Sequence, residues 1–265
     1  MTTVPRRESR PDDERSGAVD VADRLQEVRA RMAAAAARTG RDPASVTLVG
    51  ATKGVDAARI REALAAGLVD FGENRVQEAL PKIAAVGPGP RWHLIGHLQR
   101  NKARAAAGAF AVVHSIDSAR VAQALDRAAR LVGRRIPVLI EVNVAGEATK
   151  HGVAPEAAAV VVDAVRACPT LEPVGLMTVA PMAGDPEEVR PVFRRLRLLR
   201  DALRGRVGEG FCELSMGMSG DFEVAIEEGA TIVRIGRAIF GERMTGPTAT
   251  GEAAVTREGR GEREV

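Results

Sequence analysis

Aromatic residues are scarce in this sequence, which has no tyrosine, one tryptophan and only 3% aromatic residues among 265. Such a chain offers few of the stacking surfaces on which single-stranded nucleic acids bind. Charge of one sign is not in large excess either, since 38 basic and 35 acidic residues give a formal net charge of +3. The basic cluster at residues 193–206 carries an apolar stripe at helical spacing, which is typical of a solvated helix face. The sequence therefore argues against nucleic acid as a partner.

Cysteine is equally rare, with Cys168 and Cys212 alone, so the chain has no disulfide framework and no cysteine at metal-ligand spacing. No apolar run is long enough to span a membrane, and the N-terminus lacks the apolar segment of a signal peptide. His93 and His97 are four residues apart, but they straddle a predicted strand end without a nearby carboxylate motif. These absences predict a cytoplasmic protein with reduced thiols, no membrane partner and no metal site.

Both ends of the chain differ in composition from its middle. Residues 1–17 and 245–265 are charged and nearly free of large apolar side chains. Such segments cannot bury enough apolar surface to offset the entropy of ordering, which predicts two disordered tails. The residues between them, 18–244, are enough for one well-buried domain.

Between the predicted tails, short apolar runs alternate with alanine-rich helical patterns. A first amphipathic helix, with Val21, Leu25, Val28 and Met32 on one face, precedes them. The eight runs are VTLVGAT from Val46, VDFGEN from Val69, RWHLIG from Arg91, AVVHSI from Ala111, PVLIEVNV from Pro137, EPVGLMTV from Glu172, CELSM from Cys212 and TIVRIG from Thr231. This alternation predicts a single α/β domain, a (β/α)8 TIM barrel with an extra N-terminal helix. A doubly wound open sheet is the alternative, but no glycine-rich dinucleotide turn follows the first run.

In such a barrel, functional side chains gather at the carboxyl ends of the strands. Lys53 follows the first run, where it either snorkels to water or, partly desolvated, forms a Schiff base. The loops after strands seven and eight often bind phosphate in this fold. Here they carry small residues, hydroxyls and a charge, namely Ser215, Gly217, Ser219, Gly220, Gly236 and Arg237. Together the two loops favour a phosphate site over a pair of tight turns.

Arg234 interrupts the apolar eighth run and shares the strand parity of Ile232 and Gly236. Because a buried arginine is costly without a partner, it either pairs with Glu73 or Glu141 inside the barrel or donates to a ligand. A Schiff-base lysine, a phosphate cradle and an inward donor match the aldehyde, phosphate and ring nitrogen of pyridoxal 5′-phosphate (PLP). Arginine cannot accept a proton, so a ring nitrogen facing it stays neutral and carbanion chemistry is discouraged.

The sequence resembles the pyridoxal phosphate homeostasis protein family, also called proline synthetase co-transcribed homologues, from about Val21 to Arg243. The motifs that carry the likeness are ATKGV, FGENRVQEALPKI, WHLIGHLQRNKA, HSID, LIEVNVAGEATKHGV, GLMTVAP, LSMGMSGDFEVAIEEGAT and VRIGRAIFG. The resemblance implies a barrel like the N-terminal domain of alanine racemase, with PLP held as an internal aldimine on Lys53. The other cofactor-binding residues that it implies are Asn74 near the ring, Arg234 at the pyridine nitrogen, and Ser215, Ser219, Gly236 and Arg237 at the phosphate.

The resemblance also implies a role in vitamin B6 and amino-acid homeostasis, in which the protein carries or delivers PLP without robust catalysis. No catalytic residue is established by it. A PLP-dependent racemase is one alternative, but racemases of this kind use a tyrosine as second base, and His93 would have to replace it. A cofactor-free Schiff-base aldolase for phosphorylated ketones is another, which leaves Arg234 unexplained.

Lys150 and His151 follow the fifth run, near the predicted barrel mouth. Their positive charge either attracts free PLP and holds it before transfer or belongs to an ordinary solvated loop. The predicted partners are PLP and, as its recipients, apo forms of PLP-dependent enzymes. A monomer is expected, because the dimerising domain of alanine racemases is missing.

Overall fold

The structure is a computed structural model that describes residues 20–241, so both predicted tails lie outside the described residues. Eight parallel strands follow one another in chain order and close into a barrel, with the last strand pairing with the first. The strands are β1 Thr47–Ala51, β2 Asp70–Glu73, β3 Arg91–Leu94, β4 Val112–Ile116, β5 Ile136–Glu141, β6 Leu171–Met177, β7 Glu213–Ser215 and β8 Ile232–Ile235. The predicted (β/α)8 barrel is confirmed, and each predicted apolar run matches one strand, although β5 and β6 begin one residue before their runs.

The helices lie outside the barrel and connect successive strands. They are α1 Val21–Arg38, α2 Ala57–Ala65, α3 Val76–Val86, α4 Ala103–Ala109, α5 Ala119–Leu131, α6 Ala158–Arg166, α7 Arg190–Val207, α8 Phe222–Glu227 and α9 Arg237–Phe240. Side chains cap several N-termini; Asp56 accepts from the backbone N–H of Arg59, and Ser118 accepts from that of Val121. Within the described residues, no helix is both long and apolar enough to cross a membrane.

The extra helix α1 seals the join between the end and the beginning of the barrel. Its predicted apolar face is buried, and the helix packs on α2, α8 and α9. Arg31 pairs with Glu223 of α8, while Arg41 donates to the backbone carbonyls of Ile226 and Ala230. These contacts hold α8 and α9 in place, and the loops that precede both helices form part of the barrel mouth.

Helix α7 contains the whole of the basic cluster at residues 193–206. Phe193 and Leu196 of its apolar stripe are fully buried. Its arginines face acidic residues near the end of α8, because Arg194 and Arg197 both pair with Glu228. The cluster thus holds α7 against α8 through ion pairs within the chain.

The interior of the barrel is filled by two different kinds of side chain. A small apolar cluster combines Val49, Leu139, Met177 and Ile232 from four strands. The remaining inward positions include buried polar residues, which are Asp70, His93, His114, Ser215 and Arg234. Polar groups in such a place must satisfy one another, and their arrangement leads to the functional site.

Candidate functional site

Two cavities open side by side at the carboxyl ends of the strands. The first cavity, of about 420 Å³, lies beside β1, β7 and β8. The second cavity, of about 810 Å³, lies beside β2, β3 and β5. Lys53 and Asn74 line both, so these two residues stand on the boundary between the cavities. Both volumes fall within the range of small-molecule sites, roughly 300–1,000 Å³.

Six of the seven predicted cofactor-binding residues line the first cavity. Parallel pairing of β1 with β8 brings their carboxyl ends together, so that the loops bearing Lys53 and Arg237 meet there. The six are Lys53, Asn74, Ser219, Arg234, Gly236 and Arg237. The seventh, Ser215, is fully buried below the cavity floor and does not line it.

The loops after β7 and β8 are held in place by close backbone approaches. Gly217 has a φ of +93°, and a Cβ there would lie 2.6 Å from the Cβ of Ala225. Its carbonyl accepts from the backbone N–H of Arg234 at 3.0 Å. The hydroxyl of Ser219 accepts from the N–H of Ala238 at 3.3 Å, which ties one loop to the other. The two loops therefore form a fixed cradle rather than a pair of independent turns.

Arg234 is 4% exposed and has no carboxylate in direct contact among the described residues. Its Nη1 donates to Ser215 Oγ at 2.6 Å, and its Nη2 donates to the carbonyl of Thr178 at 2.8 Å. Burial lowers the pKa of Arg234 to about 10, although Asp221 and Glu141 oppose that shift, so the guanidinium stays charged. The salt bridge to Glu73 or Glu141 that the sequence left open is not formed. Glu73 instead accepts from Lys82 Nζ at 2.5 Å.

A chain of hydrogen bonds continues from Ser215 through the barrel. Ser215 Oγ lies 2.9 Å from His114 Nδ1, and His114 Nε2 lies 2.9 Å from His93 Nδ1. His93 Nε2 then lies 2.8 Å from Asp70 Oδ1. Arg91, at the exposed start of β3, donates to the same carboxylate. We call this buried series, from Arg234 to Asp70, the Arg–Asp chain.

The two ends of the Arg–Asp chain fix the direction of the hydrogen bonds that they themselves make. An arginine can only donate and an ionised carboxylate can only accept. Burial alone would raise the pKa of Asp70, but hydrogen bonds from His93 and Arg91 outweigh it and lower that pKa. Burial also lowers the pKa of His114 well below its ordinary value, with His93 and Arg234 adding to the shift. We therefore assign a neutral His114, and the Nε2–H of His93 donates to Asp70.

This arrangement gives Ser215 and His93 places that differ from the sequence-based expectations. Ser215 was expected at a phosphate, but its hydroxyl is occupied by Arg234 and His114. His93, the candidate second base, is 3% exposed and bonded on both ring nitrogens. His114 and Asp70 are not among the residues for which the sequence predicts a role. Their only signal was a polar residue at an inward position of an apolar run.

The second cavity contains a carboxyl group with an unusual environment. Glu141 is 7% exposed, and its Oε2 has no hydrogen-bond partner among the described residues. Burial, reinforced by Asp117 and opposed by Arg234, raises the pKa of Glu141 to about 7. Lys150 lines the same cavity, where its ammonium donates to Glu147 at 2.6 Å and to the carbonyl of Ala180 at 3.0 Å.

Comparison with known proteins agrees with this geometry. The chain matches the family described as "Alanine racemase, N-terminal domain" over residues 24–244. It is 45% identical over 226 residues to the pyridoxal phosphate homeostasis protein of Aquifex aeolicus, covering 85% of this chain and 99% of that protein. The counterpart from Pseudomonas aeruginosa is 44% identical over 232 residues, or 87% of this chain and 99% of that protein. The solved structure of PipY from Synechococcus elongatus with PLP bound superposes with a TM-score of 0.72 at 36% identity, over 83% of this chain and 100% of that one.

The closed barrel, with its lysine after the first strand, is thus of the alanine racemase N-terminal-domain class. Within that class, the chain belongs to the pyridoxal phosphate homeostasis protein family. The family resemblance seen in the sequence is confirmed, and so is the fold that it implied.

The Arg–Asp chain predicts that Asp70 and Ser215, which do not touch each other, are energetically coupled. Asp70→Asn and Ser215→Ala should each destabilise the protein by about 1–3 kcal/mol, because each leaves buried polar groups unpaired. The changes in unfolding free energy caused by two substitutions usually add to within about 0.5 kcal/mol when the residues share no partners, but they do not when the residues belong to one network. We expect a coupling free energy above that limit, measured by urea denaturation of both single variants and the double variant. The control is Asp126→Asn, which changes a buried carboxylate hydrogen-bonded to Thr170. Its effect on the free energy of unfolding should add to that of Ser215→Ala.

The raised pKa of Glu141 predicts a pH-dependent penalty to stability. Between the pKa of an unfolded glutamate, about 4.3, and the folded value, only the unfolded chain loses this proton. The penalty is therefore absent at low pH, grows as the pH rises, and is complete above pH 7. The free energy of unfolding of Glu141→Gln, measured by urea denaturation without PLP, should rise relative to that of the wild type by about 2 kcal/mol between pH 5 and pH 8. A difference between Glu141→Gln and the wild type that stays constant from pH 5 to pH 8 would contradict the assignment.

Proposed function

We propose that this protein binds PLP in the first cavity and serves vitamin B6 homeostasis by holding the cofactor and releasing it to other proteins. The observation that carries this proposal is the meeting of Lys53, Arg234 and the Ser219–Gly236–Arg237 cradle in one cavity. The family relationship supports it, since the related PipY structure is described with PLP bound.

The residues that line the first cavity match the chemical groups of PLP. Bound PLP supplies an aldehyde that condenses with a primary amine, next to a pyridine ring that can store electrons. Lys53 offers that amine and is exposed to the cavity. Gly236 leaves its backbone open to a phosphate, because it has no side chain there, and Arg237 adds positive charge. Asn74 lines the cavity beside Lys53 and would lie near the ring.

Arg234 would determine what this site does not do. It is held rigidly by Ser215 and Thr178, and at neutral pH it stays protonated. A ring nitrogen facing it can receive a hydrogen bond but no proton, so the ring remains a poor acceptor of electrons. His93 is tied to Asp70 and His114, which leaves it unsuited to act as a second base at the mouth. These contacts favour a carrier over a racemase.

Assembly and location follow as further parts of the proposal. We propose that residues 18–244 form the PLP-binding domain, and that the protein acts as a monomer in the cytoplasm. Apo forms of PLP-dependent enzymes are the proposed recipients. A cofactor-free aldolase is less favoured, because it gives the buried Arg234 and its hydrogen-bonded chain no task.

The attachment of PLP to Lys53 is tested by the visible spectrum. Purified protein should be yellow, should bleach with borohydride, and should then carry a mass increment on the peptide that contains Lys53. Lys53→Ala should lose the borohydride-stable adduct, because it has no amine at that position. Lys102→Ala, at another lysine of the second cavity, should behave as the wild type. Protein that stays colourless with added PLP would exclude this function and favour the aldolase.

Lys150 is proposed to assist capture and transfer of PLP from the second cavity. Its ammonium links the loop after β5 to the carbonyl of Ala180 beyond β6. Lys150→Ala should therefore slow exchange of PLP with apo-enzyme, without changing occupancy at saturating PLP. Glu147→Gln breaks the ion pair but keeps the ammonium, so it should exchange at least as fast as the wild type. Unaltered exchange in Lys150→Ala would remove this role.

A further inference from the structure

Three side chains capable of binding a metal meet at the rim of the second cavity. His97 follows β3, Asp117 follows β4 and His151 follows β5. One ring nitrogen of each histidine and one carboxylate oxygen all lie within 4.8 Å of one another. We infer that these three residues form a binding site for a divalent transition-metal ion, a site that the sequence analysis did not expect.

The spacing of the three groups suits one ion. Zinc lies about 2.0–2.2 Å from nitrogen and oxygen ligands, so adjacent ligand atoms are separated by about 3–3.5 Å. His97 Nδ1 and Asp117 Oδ2 already lie 3.1 Å apart. The ring of His151 stacks on that of His97 with centroids 4.2 Å apart and an angle of 13° between the planes. His151 is exposed, so a change of its rotamer is all that binding would require.

A second observation concerns the unsatisfied nitrogen of His97. Its Nδ1 is shielded from solvent but has no hydrogen bond among the described residues, even though the Asp117 carboxylate is close. The contact is therefore an approach of two groups without the alignment of a hydrogen bond. Buried polar atoms of this kind are uncommon and need a partner. A cation shared by the nitrogen and the carboxylate would satisfy both.

The backbone around the site is already fixed. Ser115 Oγ donates to the carbonyl of Gly96 at 2.6 Å, which anchors the residue before His97 to β4. A bridge between Val142 and Val153 holds the loop that carries His151 against the end of β5. The backbone that carries the ligands would thus be in place before an ion arrives, which lowers the ordering cost of binding.

The ligand types select the kind of ion. Two imidazoles and one carboxylate suit Zn²⁺, Co²⁺ or Ni²⁺, whereas Mg²⁺ and Ca²⁺ prefer oxygen ligands alone. Three protein ligands leave at least one position open for water or an anion. His97 and His151 line the second cavity together with Lys53, so that position is near the route to the proposed PLP site. The site itself does not depend on PLP.

The test uses the full-length chain without an affinity tag, treated with a chelator and titrated with ZnCl2 by calorimetry. We expect one ion per chain at micromolar or tighter affinity, and no binding of MgCl2. His151→Ala and Asp117→Asn should each weaken zinc binding by at least about 10-fold, the lower limit for losing even an outer partner of a metal ligand. Glu147→Gln, a carboxylate in the same loop, should leave the affinity unchanged.

CoCl2 distinguishes this site from the thiols and from PLP itself. Cobalt bound by two imidazoles and a carboxylate should give visible d–d bands without the sulfur-to-metal charge-transfer absorption that Cys212 would produce. The absence of saturable binding, or binding that survives in both His151→Ala and Asp117→Asn, would overturn the inference. Loss of binding in Cys212→Ser, or a cobalt-induced shift confined to the PLP band, would overturn it as well. The triad would then be an ordinary His–Asp pair with a stacked ring.

Discussion

The charge of Arg234 is the constraint around which the interior of this barrel is arranged. Burying a guanidinium without a carboxylate in contact with it is costly, and here a series of buried polar groups offsets that cost. Ser215 and Thr178 accept from it directly, and His114 and His93 extend the series to Asp70. Each member is satisfied only if the next one is present, so the series either forms as a unit or leaves unpaired groups in the core.

Such an interior is expensive compared with the apolar layers that usually fill a barrel of this size. The apolar cluster around Val49 and Met177 is small because polar side chains occupy inward positions that branched residues would otherwise fill. In return, the barrel presents one donor at its mouth with no freedom to turn or to lose its charge. Rigidity of this kind is what a binding site needs when the ligand is to be held without being transformed.

The barrel could be predicted from the sequence because parallel strands that are buried on both faces appear there as continuous apolar runs. The sequence also predicted that Lys53 and the cradle residues lie together at the barrel mouth, where they line one cavity, since strand ends and glycine-rich loops can be recognised from the sequence. Other contacts depend on which residues meet across the barrel. The link between His114 and Ser215 joins β4 to β7 across the barrel, and the register of β4 with β5 shifts between Val113 and Ile116, where His114 lies. The triad of His97, Asp117 and His151 requires three loop conformations, none of which is encoded in residue spacing.

Lys53 contrasts with Arg234 in a way that bears on carrier and enzyme. Arg234 is buried and fixed, whereas Lys53 is exposed and stands between two cavities. Enzymes that stabilise reactive carbanions exclude water from the reacting carbon. The open surroundings of Lys53 do not exclude water. An amine open to a second cavity is instead accessible to water or to another amine, and either can release an aldehyde held there. A cavity with donors for a ring and a phosphate, joined to an accessible amine, supports the proposed exchange of PLP.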